Sequence, residues 1–150
     1  MAVRRKMGFS VNDLLLAEEL KDAKILGGKE GLDRQIKGVT IIEAPDIVKF
    51  INGGEVLLTG LYAFRSCSVE EFQKYINELT KKSVSALIMK RGRKVENADI
   101  KIELLLEFAN THGIPVLEVP FEISFRDIMS RIMERLFNEE VTRLKYFKTT

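Results

Sequence analysis

Polar residues follow successive buried strands of the predicted sheet and could together bind a ligand. These residues are Glu43, Thr59, Lys90 and Arg93, and Gly60 follows Thr59 at the same strand end. Because the carboxyl ends of parallel strands meet at one edge of a sheet, where open α/β sheets bind ligands, we expect the five residues to converge there. A carboxylate, a hydroxyl and cations suit a small polar molecule with carbonyl, amide or acidic groups. The sequence therefore predicts a ligand-binding rim; the alternative is that these loop charges are simply solvated.

The only histidine and the only cysteine of the chain do not form a recognisable catalytic pair. His112 lies at the end of a predicted helix, just before Gly113, where an imidazole interacts favourably with the helix dipole. Cys67 directly precedes a predicted helix cap and has no base beside it in the sequence. The chain also falls short of the usual Cys/His zinc site and has no Walker loop or Gly-x-Gly-x-x-Gly fingerprint. We therefore expect no enzyme, no metal site and no cofactor.

The apolar run Val56-Leu57-Leu58 is the centre of the predicted fold. Gly53 and Gly54 precede it and permit a turn, and an unbroken apolar run is typical of a strand covered on both faces. The other predicted strands are 23–26, 35–42, 86–89 and 116–119. We expect the first of these to form a mixed or antiparallel edge and the last two to be parallel to the central strand. Because helical patterns separate the strands, the sequence predicts an α/β fold with a mostly parallel central sheet flanked by helices.

The predicted helices have recognisable ends and apolar stripes. Ser68 and Glu71 form a capping box at the start of a helix that continues to Leu79. The other predicted helices are 10–20, 46–51, 100–112 and 125–147. The last is unusually long for a small domain and contains neither glycine nor proline. We expect its first half to pack on the sheet and the part beyond Asn138 to project and form a homodimer.

Composition limits the classes of protein to which the chain can belong. A hydrophobic fraction of 45%, a charged fraction of 31% and a length of 150 residues are typical of one soluble globular domain. A net charge of +2 does not indicate a nucleic-acid surface. No apolar stretch is long enough to cross a membrane, and a single cysteine fits a reducing compartment. The sequence therefore predicts a cytoplasmic protein.

An ordered set of short motifs resembles the amino-terminal domain of PucR-type purine catabolism regulators. In chain order the motifs are Ser10 to Leu15, Gly31-Leu32-Asp33-Arg34, Glu43-Ala44-Pro45-Asp46, Gly53 to Gly60, Lys90-x-Gly92-Arg93, the run from Ile114 to Pro120, and Phe125-Arg126-Asp127-Ile128. Each motif alone is weak, but their order is specific. The resemblance covers about residues 9–140 and implies a sensory domain at the front of a transcription regulator.

The resemblance leads to a division of the chain into three parts. Residues 1–8 are predicted to be a flexible basic terminus, 9–137 the sensory α/β domain, and 138–150 a projecting helix or connector. The resemblance implies a small purine-related metabolite as a partner. We expect no direct contact with nucleic acid, because no helix-turn-helix follows the last helix, and no membrane contact. The alternatives are a dimerisation or protein-interaction module without a ligand, and a small enzyme acting on a purine-derived metabolite.

Overall fold

A five-stranded sheet forms the middle layer of the protein. The computed structural model describes residues 8–92 and 94–148, with side chains as far as residue 145. The strands are β1 (Lys24–Gly27), β2 (Gly38–Ile42), β3 (Glu55–Gly60), β4 (Ala86–Lys90) and β5 (Val116–Glu118). Their order in the sheet is β1-β5-β4-β3-β2; β2 to β5 are parallel and β1 is antiparallel to β5. The predicted mostly parallel α/β fold is confirmed, including its antiparallel edge.

Helices cover both faces of this sheet. They are α1 (Val11–Leu15), α2 (Val69–Thr80), α3 (Ala98–His112) and α4 (Phe125–Lys148). The helices α2 and α3 lie on one face, which we call the α2/α3 face, and residues of α1 and α4 pack on the other, the α1/α4 face. Each face has its own apolar core, so the domain has three layers.

The strand β3 owes its interior position to its unbroken apolar sequence. Val56, Leu57 and Leu58 are all fully buried, between β2 on one side and β4 on the other. Because side chains alternate along a strand, Leu57 packs in the α2/α3 core, whereas Val56 and Leu58 pack in the α1/α4 core. The central role predicted for this run is therefore confirmed.

Capping interactions fix where the helices begin and end. Ser68 and Glu71 form the predicted capping box of α2, and Ser10 and Asp13 form another at α1. The helix α3 ends at Gly113, which adopts the left-handed conformation at φ +61°, as expected for a glycine after a helix.

Three regions differ from the predicted elements in length or type. The helix predicted over 10–20 is divided into the short α1 and a 3₁₀ turn at Glu18–Leu20. The helix predicted from Asp46 is a 3₁₀ segment, Pro45–Phe50, and a further 3₁₀ turn, Leu61–Phe64, lies within the predicted loop after β3. These short segments carry too few residues for an apolar period to identify them.

The Gly31–Arg34 motif contacts the end of α3 and the segment before β4. The Arg34 guanidinium donates hydrogen bonds to the carbonyl oxygens of Gly113 at 2.8 Å, His112 at 3.1 Å and Val84 at 3.4 Å. These carbonyls lie just before β5 and β4, at the amino edge of the parallel strands. The motif therefore lies away from the carboxyl edge, and its contacts are structural.

The helix α4 packs on the sheet through one side and is exposed on another. Ile128 and Ile132 are fully buried, whereas Met133, Phe137 and Leu144 are more than half exposed. Met133 lies in the first half of the helix, which is predicted to pack on the sheet. The exposed apolar stripe therefore begins earlier than predicted. The helix still contacts the domain at Glu139, whose carboxylate accepts a hydrogen bond from the Gly8 amide at 3.3 Å. Within the described part of the chain, none of the helices is both long and apolar enough to cross a bilayer.

Candidate functional site

Four of the five predicted rim residues, Glu43, Thr59, Gly60 and Lys90, lie at the carboxyl edge of the sheet. Ile42, Thr59 and Met89 are register partners across β2, β3 and β4. Glu43 directly follows Ile42, and Gly60 is the register partner of Lys90. Parallel pairing therefore places the ends of these strands side by side, as the sequence predicts. Arg93 lies outside the described residues.

The Thr59 side chain points into the α2/α3 core and not towards solvent. It is buried, and its hydroxyl contacts the carbonyl oxygens of Gly60 at 3.0 Å and Ile42 at 3.4 Å. It also lines an apolar cavity of about 20 Å³ between the sheet and α2. The hydroxyl is therefore engaged by the backbone in this structure.

The Lys90 side chain lies on the other face of the sheet. Its Nζ atom is 4.3 Å from the ring centre of Phe125 and 5.9 Å from that of Phe121, so the ammonium group makes cation–π contacts near the start of α4. Partial burial lowers the pKa of Lys90, and the carboxylate of Glu122 acts in the opposite direction. Thr59 and Lys90 therefore share an edge of the sheet but present their side chains to different layers.

The remaining described rim residues are accessible. The Glu43 side chain is exposed, and Gly60 is half-buried. A Cβ atom added at Gly60 would meet no heavy atom within 4 Å, so the edge is open at this position. A common ligand-binding role for the five predicted residues stays a prediction.

An open depression of about 560 Å³ lies at the same edge, between the end of β3 and the start of α3. Its lining includes Leu61, Arg91 and Lys94, which directly follow the predicted residues Gly60, Lys90 and Arg93. Asn97 and Asp99 complete its polar lining at the first turn of α3. The predicted residues are thus neighbours in the chain of residues that line the depression, but they are not in its lining, because strand ends identify an edge and not the direction of each side chain.

Arg91 connects this depression to the end of β5. Its Nε atom is 2.8 Å from a carboxylate oxygen of Glu118, and the Arg91 side chain is 52% exposed. The pair is therefore accessible to solvent on one side, and its contribution to stability is small. The position of Arg91 matters more than the strength of this ion pair, because the same guanidinium lines the depression and contacts β5.

Lys101 is a buried cation that the sequence analysis did not identify. Its side chain is fully buried, and its ammonium group donates a hydrogen bond to the Phe64 carbonyl oxygen at 3.0 Å. The contact joins the first turns of α3 to the 3₁₀ turn that follows β3. A lysine on a helix usually extends into solvent, so the sequence gives no signal for this arrangement.

Lys101→Ala is expected to destabilise the protein by about 2–4 kcal/mol, because it leaves a cavity and removes one of the two hydrogen bonds that the Phe64 carbonyl oxygen accepts, the other coming from the Cys67 amide. Urea unfolding followed by circular dichroism measures this loss. Lys101→Met keeps most of the packing and should cost less, and Lys74→Ala removes an exposed lysine from α2 as a control. An equal effect of Lys101→Ala and Lys74→Ala would contradict the buried role.

Cys67 and His112 lie in different environments in the structure. Burial raises the pKa of the Cys67 thiol, and the Glu71 carboxylate raises it further, although the Lys101 ammonium opposes both, so the thiol is a weak nucleophile. His112 is exposed at the end of α3, with its ring 5.6 Å from that of Phe108. Within the described ranges, no cluster of three or more His, Cys, Asp or Glu side chains could hold a metal ion.

Comparison with known proteins gives two matches. Residues 13–136 match the model of the Purine catabolism regulatory protein-like family. The chain is also 26% identical over 136 residues to the Purine catabolism regulatory protein of Bacillus subtilis (strain 168). That alignment covers 91% of this chain and 25% of the relative, so the chain spans about a quarter of the relative's length. The matched region includes all five strands and both sides of the depression.

Proposed function

Because the chain belongs to the Purine catabolism regulatory protein-like family, we propose that it is a ligand-sensing domain of a transcription regulator. The open depression at the carboxyl edge of the sheet is the observation that carries the sensing role. The similar Bacillus subtilis protein is named for purine catabolism, so the ligand we propose is a small purine-derived metabolite. We propose neither a catalytic role for the described residues nor a direct contact between them and DNA.

The chemistry of the depression suits such a ligand. Oxidised purines and ureides carry carbonyl oxygens and N–H groups, and some are anionic at neutral pH. Arg91 and Lys94 can donate hydrogen bonds to carbonyl or anionic oxygens, and Asp99 can accept them from N–H groups. The five residues predicted from the sequence remain proposed members of the rim. At Gly60 the space above the Cα atom is free, which leaves room for part of a ligand at this position.

Ligand binding can be tested by thermal and chemical unfolding with xanthine, urate and allantoin. A ligand at about 100 times its dissociation constant should stabilise the folded protein by about 2.7 kcal/mol. Lys94→Gln should weaken binding at least about tenfold, which corresponds to about 1.4 kcal/mol, because it removes a cation from the depression. Lys74→Gln on the exposed face of α2 is the matched control and should bind as the wild type does.

The results separate three outcomes. Weakened binding by Lys94→Gln alone supports the depression as the ligand site. Binding that both variants leave unchanged would place the ligand elsewhere. The absence of binding across the panel would favour the second candidate function, a protein-interaction module, which the exposed apolar residues of α4 support independently.

A further inference from the structure

We propose that the loop after β4 is coupled to the first turn of α4, so that a change in the depression alters the position of that helix. The inference rests on the proposed function only for the ligand that would cause such a change. The coupling itself is a property of the ligand-free protein. Three successive residues, Lys90, Arg91 and Gly92, lie against the last residue of β5 and the segment that leads from it into α4.

Lys90 makes the contact closest to α4. Its ammonium group lies over the ring of Phe125, the first residue of α4, and more distantly over the ring of Phe121. The Lys90 backbone is held in the sheet beside Gly60, so the side chain connects a fixed strand end to the start of the helix. Movement of Lys90 would therefore change the environment of Phe125 directly.

Gly92 lies close to the ring of Phe121. Its backbone adopts φ +45°, and a Cβ atom at this position would lie 2.5 Å from ring carbons of Phe121. Only glycine allows the loop to approach the ring this closely without displacing it. The Phe121 ring is 64% exposed, so its contact with the loop is not explained by burial in the core. The close approach of the loop to the ring therefore depends on the absence of a side chain at residue 92.

Arg91 connects these contacts to the depression. Its guanidinium lines the depression and also contacts the Glu118 carboxylate at the end of β5. A carbonyl or anionic group bound in the depression would compete with Glu118 for the same guanidinium hydrogens. Ligand occupancy would therefore weaken or reorient the contact between the loop and the segment that precedes α4.

The helix α4 can transmit a displacement of its first turn. It extends for 24 residues, which corresponds to about 36 Å at a rise of about 1.5 Å per residue. It contains neither glycine nor proline, so the sequence provides no hinge along its length. A shift near Phe125 would therefore also move the exposed stripe around Phe137.

Hydrogen exchange on the intact ligand-free chain tests the coupling in both directions. Phe121→Ala should accelerate exchange of the amides of residues 94–97 at least about fivefold, the lower end of typical coupling between sites. Arg91→Gln should similarly accelerate exchange in residues 121–129. Phe50→Ala is the matched control, because Phe50 is a phenylalanine of similar exposure (71%) with its own lysine partner, Lys49. It should leave both regions unchanged.

The amides of α2 distinguish coupling from general destabilisation. The inference is supported if the two changes occur while exchange in residues 69–80 stays as in the wild type. It is overturned if Phe121→Ala leaves residues 94–97 unchanged, if Arg91→Gln leaves residues 121–129 unchanged, or if exchange rises equally in α2. Failure to bind xanthine, urate or allantoin would count against the proposed function alone, because none of these measurements uses a ligand.

Discussion

Gly31→Ala is expected to destabilise the fold by more than about 3 kcal/mol, a large part of the total stability of a domain of this size. A Cβ atom at Gly31 would lie 1.8 Å from the carbonyl oxygen of Gly113 and 2.8 Å from Cδ of Pro115. A backbone carbonyl cannot rotate away as a flexible side chain can. The segment would have to move away from the end of α3, and the hydrogen bonds of Arg34 to Gly113 and His112 would be strained as well.

Urea unfolding of the intact chain measures this loss, with Gly60→Ala as the matched control. The control residue has an extended backbone, with φ at −83°, and its added Cβ atom would meet nothing within 4 Å. Gly60→Ala should therefore change the free energy of unfolding by no more than about 0.5 kcal/mol. Equal stability of the two variants would show that the contact between Gly31 and Gly113 is not as close as the structure has it.

The position of Gly31 indicates that a family motif can have a structural role. Gly31 and Arg34 belong to one of the motifs on which the resemblance to purine catabolism regulators rests, yet both act at the amino edge of the sheet. The Gly53–Gly60 motif instead ends at the carboxyl edge, beside the depression, and Lys90 and Arg91 of another motif lie at the same edge. A short motif in a sequence therefore does not by itself indicate a ligand, because some of these motifs hold the backbone together.

The sheet could be predicted from the sequence because its strands are short, strongly apolar and separated by clear helix signals. Val56-Leu57-Leu58 has no polar residue that would permit an exposed face, so its interior position follows from composition. The capping box of Ser68 and Glu71 fixes the start of α2 through local hydrogen bonds that need no tertiary information. Both features depend on residues that are close together in the chain, so the sequence alone predicts them.

The details of the candidate site depend on contacts between distant parts of the chain. Thr59 and Lys90 both lie at strand ends, but whether each side chain points to α2 or to α4 depends on strand register, which the sequence does not give. Lys101 is buried because the carbonyl of Phe64, 37 residues earlier, lies beside it. No periodicity or propensity encodes such a pairing, so the sequence located the edge of the sheet but not the side chains that line it.

The exposed stripe of α4 leads to the second large expected effect, on self-association. Met133, Phe137 and Leu144 are 54%, 68% and 53% exposed. Their spacings of four and seven residues place them on one side of the helix, away from the buried Ile128 and Ile132. A two-fold contact between copies would bury each of these side chains against the same stripe of the partner, and this is the commonest symmetry of homo-oligomers. We therefore expect the intact chain to dimerise through α4.

Phe137→Lys should raise the dissociation constant of this dimer at least about 100-fold, or by about 2.7 kcal/mol, because it places two charges at the centre of the apolar contact. Sedimentation over a range of protein concentrations measures the change. Asn138→Lys is the matched control, since it adds the same charge to the neighbouring exposed residue, about 100° around the helix. Truncation after Asn138 should also weaken the dimer, because it removes Leu144. A monomeric wild-type chain, or a dimer that Phe137→Lys weakens no more than Asn138→Lys does, would exclude this stripe as the contact between copies.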